Sequence, residues 1–180
     1  MLRSRLWGFL LVCLFSGYLG GCQGITPPLE NSYQSQVDYV VSGQAIALTT
    51  PIGSDPAIDQ IRLAGIQAPD LEQTPWGEAA RQRLQELVEK AAVRLELTSL
   101  EPDAYQRLWA YVWRDRQLIN QQLVNEGYVL VDLDSLAHSP YEQSFRRAQE
   151  RARLVGVGIW QPDQPLRLTP TEFRQQQSHP

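Results

Sequence analysis

Two charged residues bracket a short segment of this 180-residue chain that could take part in catalysis. Arg62 and Asp70 stand in IRLAGIQAPD, a pattern typical of a buried strand that runs into a proline turn. An arginine can hold an anion through paired hydrogen bonds, and a carboxylate can accept a proton. The turn between them, however, contains the uncharged residues Gln67 and Ala68. The segment is therefore a working site, a damaged site, or a turn with two incidental charges.

Strand-like and helix-like patterns alternate around this segment and must position it. In order, they predict two strands within 37–48 about a Ser42-Gly43 bend, a strand at 58–66, a helix with Thr74 as its N-cap, strands at 93–97 and 108–113, a helix at 118–126, and a last helix that starts from the capping box Ser139-Pro140-Tyr141-Glu142. Short strands with helices inserted late predict an α+β fold, in which a small curled β-barrel packs against helices.

The N-terminus has the pattern of an export signal. A basic start, an apolar run and small residues over 1–21 predict a secretory signal peptide, and the run is short for a membrane-spanning helix. Leu19-Gly20-Gly21-Cys22 resembles the lipobox of bacterial lipoproteins, in which the cysteine becomes the acylated N-terminus. Cys13 would be removed with the signal, so Cys22 cannot form an internal disulfide. We therefore expect an exported protein of the bacterial cell envelope, anchored to a membrane through lipid on Cys22.

The predicted mature chain is acidic and divides into three parts. Cleavage removes Arg3 and Arg5 and no acidic residue, so the net charge changes from −4 to −6, which disfavours non-specific binding to nucleic acid. Residues 22–36 predict a polar tether, and 37–160 a single domain. The Pro- and Gln-rich residues 161–180 predict a flexible tail with little packed structure.

Six blocks of sequence, in order, resemble the staphylococcal-nuclease-like (thermonuclease) family over about 37–160. They are VVSGQAIAL, IRLAGIQAPD, PWGEAARQRL, DAYQRLWAYVW, INQQLVNEGY and the closing AQERAR…GIW. The resemblance implies an OB-fold-like five-stranded β-barrel with three helices. It also implies descent from enzymes that cleave phosphodiesters with Ca²⁺.

The resemblance places three residues at catalytic positions. Arg62 and Arg107, the latter in Asp103-Ala104-Tyr105-Gln106-Arg107, match the two phosphate-gripping arginines. Asp70 matches the water-activating glutamate of the family's Asp-Thr-Pro-Glu turn, but its side chain is one methylene shorter. Without the resemblance, Asp70 is equally well interpreted as a turn-capping residue, and the arginines as structural charges.

Both metal-ligand positions carry amides. Gln44 replaces the second aspartate of the family's Asp-Gly-Asp-Thr bend, and Gln67 replaces the aspartate of the Asp-Thr-Pro-Glu turn. Ca²⁺ affinity depends on the number of charged ligands, so neither Ca²⁺ nor any other cofactor is predicted. Of the acids nearest in sequence, Asp38 and Asp59 lie away from the turn, and Glu72, which follows it, is the best candidate to refill the site.

The remaining candidates are better explained by structure. His138 and His179 lack metal-ligand spacing, and Glu78 suits the first turn of a helix. Trp109 and Trp113 lie on one face of a predicted strand, because alternate residues share a face, and this is typical of core packing rather than base stacking.

The sequence thus predicts a membrane-anchored thermonuclease-like protein without efficient Ca²⁺-dependent activity. Arg62, Arg107 and Asp70 would form a pocket for a phosphate, a nucleotide or a nucleic-acid end. Two alternatives stay open: an active endonuclease with rearranged metal ligands, and a membrane-tethered module that binds a protein partner.

Overall fold

The computed structural model describes residues 32–52 and 58–178. Eight strands and five α-helices are found in that part of the chain. In chain order they are β1 (Ser32–Ser42), β2 (Ala45–Leu48), β3 (Gln60–Leu63), β4 (Ile66–Gln67), α1 (Trp76–Val88), β5 (Ala92–Leu97), β6 (Arg107–Arg114), β7 (Gln117–Leu118), α2 (Ile119–Asn125), β8 (Leu130–Val131), α3 (Leu133–Leu136), α4 (Glu142–Val155) and α5 (Pro170–Ser178), with a 3₁₀ turn at Gly158–Trp160.

Five of the strands close into a barrel. The antiparallel order β3-β2-β1-β5-β6 is completed by a parallel pairing of β3 with β6. Closure removes the free edges that an open sheet of this size would expose. The predicted α+β fold, an OB-fold-like five-stranded barrel with helices, is confirmed.

The core fills the barrel and continues beneath the helices. Ile46, Ile61 and Leu95 are fully buried on β2, β3 and β5, where β-branched and leucine side chains pack well. Helix α1 buries a stripe that includes Ala80 and Leu84, and α4 buries Phe145. None of the described helices has the length and apolarity needed to cross a bilayer.

The start of the barrel lies earlier in the chain than the sequence predicted. Residues 32–36, predicted as part of a tether, are the first half of β1 and pair with Ala92–Glu96 of β5. Their polar side chains are compatible with a strand because most of them are exposed. Main-chain hydrogen bonds to a neighbour therefore decide the conformation here, and hydrophobic patterning does not reveal it.

Helix starts differ from prediction by one or two residues. Helix α1 begins at Trp76 after Pro75, and no side chain caps it, so Thr74 is not the N-cap that the sequence predicted. Before α4, the Ser139 hydroxyl accepts a hydrogen bond from the Tyr141 N–H at 3.2 Å. This contact orders the turn, and the helix itself begins at Glu142.

The chain beyond 161, for which little packed structure was predicted, contains a helix. Thr169 Oγ1 accepts from the Glu172 N–H, and the Glu172 carboxylate accepts from the Thr169 N–H at 2.7 Å. This reciprocal pair is a capping box, with Pro170 at the first helical position. Helix α5 is therefore specified by its own N-terminal residues.

Candidate functional site

A bend, a turn and a helix start converge at one end of the barrel. The bend between β1 and β2 approaches closely because Gly43 has no side chain. A Cβ at Gly43 would lie 2.6 Å from Ala80 Cβ on α1 and 2.9 Å from Ala68 Cβ in the turn after β4. The glycine therefore brings the neighbouring Gln44 against the turn that contains Gln67 and Ala68.

Gln44 uses its side-chain oxygen to hold that turn. Its Oε1 accepts a hydrogen bond from the Ala68 N–H at 2.6 Å. An amide oxygen in this position satisfies a backbone donor of the turn, which would otherwise lose a partner on folding. Gln44 thus links the bend to the turn as a structural contact.

Gln67 and Asp70, on the same turn, contact helix α5. Gln67 Nε2 donates to Thr171 Oγ1 at 3.0 Å. Both carboxylate oxygens of Asp70 accept from Nη1 of Arg174 at 3.0 Å. The amide side chain and the carboxylate are thus both engaged by residues from the C-terminal helix.

Arg62 lies on β3 with only 6% of its surface exposed. Its Nη2 donates to the Ile66 carbonyl at 3.2 Å, its guanidinium lies 5.0 Å from the centroid of the Trp109 ring, and its buried Nη1 has no hydrogen-bond partner among the described residues. Burial and then repulsion from Arg107 lower the pKa of Arg62 to about 10. The guanidinium therefore stays charged at neutral pH, with a donor left unpaired.

Arg107 lies beside Arg62 on β6. The parallel register sets Arg62 against Trp109, two residues after Arg107, so both arginines belong to adjacent strands of the barrel. Arg107 donates through Nε and Nη2 to Asp103 Oδ2 at 3.0 and 2.8 Å. Burial opposes ionisation of Asp103, but hydrogen bonds from Arg107, from the Tyr105 N–H and from Trp109 lower its pKa to about 2.

Two further charges act on Arg62 that the sequence did not single out. Asp132 raises the pKa of Arg62 by attraction, and Arg174 lowers it by repulsion. Asp132 lies at the N-cap of α3, where an aspartate could be anticipated, but its distance in sequence gave no sign that it faces Arg62. The site is therefore a mixed cluster of arginines and carboxylates.

The two positions at which the resemblance expects calcium ligands, Gln44 and Gln67, offer amide oxygens rather than carboxylates. Ca²⁺ takes six to eight oxygens, and charged carboxylates set its affinity. In the described ranges, 32–52 and 58–178, no group of three or more His, Cys, Asp or Glu side chains is arranged to hold a metal. Glu72, predicted as the best acid to refill the site, is exposed on the turn, and His138 is likewise exposed. Cys22 and His179 lie outside the described residues.

Comparison with known proteins agrees with the barrel fold. The sequence profile described as "Staphylococcal nuclease homologue" matches residues 60–162, more than half of the chain. This chain belongs to the staphylococcal nuclease homologue family. The matched region contains Arg62, Gln67, Asp70 and Arg107, and it ends just after the 3₁₀ turn. Helix α5 lies beyond the match.

Several curated nucleases are similar to this family member. It is 32% identical over 118 residues to an uncharacterized endonuclease of Haemophilus influenzae, and the aligned residues cover 66% of this chain and 61% of that protein. It is 25% identical over 142 residues to the thermonuclease of Staphylococcus hyicus, covering 76% and 80%. It is 28% identical over 130 residues to the SPbeta prophage-derived endonuclease YokF of Bacillus subtilis, covering 69% and 43%. The chain thus spans less than two thirds of the first and third of these relatives.

Proposed function

We propose that this protein is a thermonuclease-like domain that binds a phosphate-bearing ligand, such as a nucleic-acid end, without efficient Ca²⁺-dependent cleavage. One observation carries the proposal: the positions at which the family resemblance expects metal ligands and a base are engaged in internal contacts. Gln44 holds the Ala68 N–H, Gln67 donates to Thr171, and Asp70 is paired with Arg174. Among residues 32–52 and 58–178, these contacts leave no charged ligand set for a divalent cation.

The unpartnered donor of Arg62 supports the binding of an anion. A buried N–H without an acceptor costs about 1–3 kcal/mol, and more when the group is charged. A phosphate oxygen placed on Nη1 would relieve this penalty through a charge-assisted hydrogen bond. The family and its relatives are named as nucleases, and nucleic acid is a chain of phosphate groups.

A binding assay tests this part of the proposal. A fluorescently labelled, 5′-phosphorylated oligothymidylate would be titrated with the full chain in EDTA, and binding followed by anisotropy. Arg62→Gln should weaken binding at least tenfold. Arg94→Gln is a matched control, because Arg94 also lies 5.0 Å from a tryptophan ring, that of Trp113, but on strand β5. Equal affinities for the two variants would refute binding at Arg62.

A cleavage assay tests the loss of catalysis. Single-stranded DNA should remain intact in the presence of Ca²⁺ at protein concentrations that saturate binding. Calcium-dependent cleavage that disappears in Arg107→Ala would show that the protein is an active nuclease with other metal ligands. The triple change Gln44→Asp, Gln67→Asp and Asp70→Glu should introduce calcium-dependent cleavage, and its failure would mean that these positions are misassigned.

We also propose that the protein is exported and anchored to a membrane through Cys22. The support is the signal-like pattern of residues 1–21 and the lipobox-like Leu19-Gly20-Gly21-Cys22. Cys22→Ser should abolish incorporation of radiolabelled palmitate and release the protein from the membrane fraction. Cys13→Ser should have neither effect, and lipidation of Cys22→Ser would refute the anchor.

A further inference from the structure

The C-terminal segment crosses the edge of the site and contacts it at four places. The Trp76 indole N–H donates to the Gln164 carbonyl at 3.1 Å, and Gln73 Nε2 donates to the Leu168 carbonyl at 2.9 Å. Thr171 and Arg174 then engage Gln67 and Asp70 as described above. The contacts follow the segment in order, so it lies along the turn and the start of α1.

Gln73 joins this segment to the turn that carries Asp70. Its side chain is 8% exposed, and it is one of few buried polar residues among those described. Its Oε1 accepts from the Asp70 N–H at 2.9 Å, while its Nε2 donates to Leu168. Because both the oxygen and the nitrogen of this buried amide are hydrogen-bonded, the position of the segment is coupled to the position of the turn.

Helix α5 is held weakly compared with the rest of the fold. It has nine residues, and an isolated helix of that length is marginal in water. Pro170 is buried and Phe173 half-buried, but the remaining residues of the helix are exposed. The helix therefore depends on its contacts with the turn, and its release should require far less free energy than unfolding of the barrel.

Access to Arg62 requires a change in the site. Nη1 of Arg62 is buried, so a ligand cannot reach it in this conformation. The carboxylate of Asp70, on the same turn, is occupied by Arg174, whose charge also acts on Arg62. Arg174 belongs to α5, a short and largely exposed helix that can move at low cost.

We propose that residues 161–178 form an intramolecular lid, latched by the Arg174–Asp70 ion pair, that must open before a phosphate-bearing ligand reaches Arg62. The proposal rests on the function proposed above. It assigns a role to a segment outside the matched family region, and it predicts that ligand binding and lid closure exclude each other.

Hydrogen exchange of the α5 amides in the full chain tests the latch without any ligand. Arg174→Gln and Asp70→Asn should each speed exchange by about two- to five-fold, the range expected for a partly exposed ion pair. The double variant should exchange no faster than either single variant, because both remove one interaction. Arg167→Gln and Glu72→Gln, matched exposed charges with no ion-pair partner among the described residues, should have no effect. Unchanged or additive rates would overturn the latch.

A second measurement tests the coupling to ligand. Saturating 5′-phosphorylated oligothymidylate should speed exchange of the α5 amides in the wild-type chain. Slower exchange would mean that α5 is part of the bound site and would overturn the lid. Binding that is insensitive to Arg62→Gln would instead refute the proposed function, while the ligand-free rates still decide whether the latch exists.

Discussion

Replacing Arg62 should weaken ligand binding while leaving the free energy of unfolding almost unchanged. Its pKa is lowered to about 10, chiefly by burial, which corresponds to a penalty on the order of 3 kcal/mol for the charged form. The hydrogen bond to the Ile66 carbonyl and the contact with Trp109 offset this by about 1–2 kcal/mol each. The terms nearly cancel, so Arg62→Met should change the free energy of unfolding by less than about 1 kcal/mol.

Urea denaturation at pH 7, with oligonucleotide binding measured on the same samples, checks this expectation. Truncation of the neighbouring core residue in Leu63→Ala should cost about 2–5 kcal/mol, as large-to-small changes in cores do. Arg62→Met should instead retain its stability and lose its affinity for the oligonucleotide. A loss of stability above 2 kcal/mol would show that the arginine is a net structural contact and would refute the reasoning.

Three further changes test other parts of the site and its support. The pKa of Asp103 is lowered to about 2, so the ionised carboxylate contributes stability above about pH 4 that is lost as pH falls toward 2. In Asp103→Asn, the midpoint of urea unfolding should therefore depend less on pH over that range. Asn120 is fully buried and serves three backbone groups, so Asn120→Ala should lower the free energy of unfolding by about 3 kcal/mol in the same assay. A Cβ at Gly77 would overlap the Asp70 carbonyl, so Gly77→Ala should displace the turn, which amide chemical shifts of Asp70 would report.

The barrel was predictable because its strands carry local signals. Apolar runs ended by Ser42-Gly43 and by the proline turn mark these strands, but the single strand predicted at 58–66 is two strands, β3 and β4, divided at Gly65, whose φ is 76°. The first half of β1 was missed because Ser32–Gln36 is polar and its conformation is fixed by pairing with β5. Pairing of this kind joins residues about 60 apart and leaves no local pattern.

The grouping of the candidate site residues was predictable in part, from the family resemblance. Gln44, Arg62, Gln67 and Asp70 follow from family blocks, and the structure brings them to one end of the barrel. Arg174 was missed because the Pro- and Gln-rich composition of the tail is typical of flexible segments, although a capping box precedes the helix that carries it. Thr169-Pro170-Thr171-Glu172 has the same capping-box pattern that correctly indicated a helix after Ser139.

The uncharged amides of Gln44 and Gln67 and the ion pair between Arg174 and Asp70 form one consistent arrangement of charges. With Gln44 and Gln67 neutral, Asp70 is the carboxylate that pairs with Arg174, whose single charge balances it. Aspartates at both positions would weaken the bond to the Ala68 N–H, because the side chain is one methylene shorter, and would place like charges around Asp70, at a combined cost of about 2 kcal/mol. We therefore expect Gln44→Asp with Gln67→Asp to unfold at a lower temperature than wild type in EDTA and to regain stability with millimolar Ca²⁺, because a ligand that binds only the folded state stabilises it. The matched pair Gln44→Asn with Gln67→Asn shortens the same side chains without charge and should not respond to Ca²⁺. A wild-type chain that is itself stabilised by Ca²⁺ would show that the amides still hold the ion, and the charge argument would then be wrong.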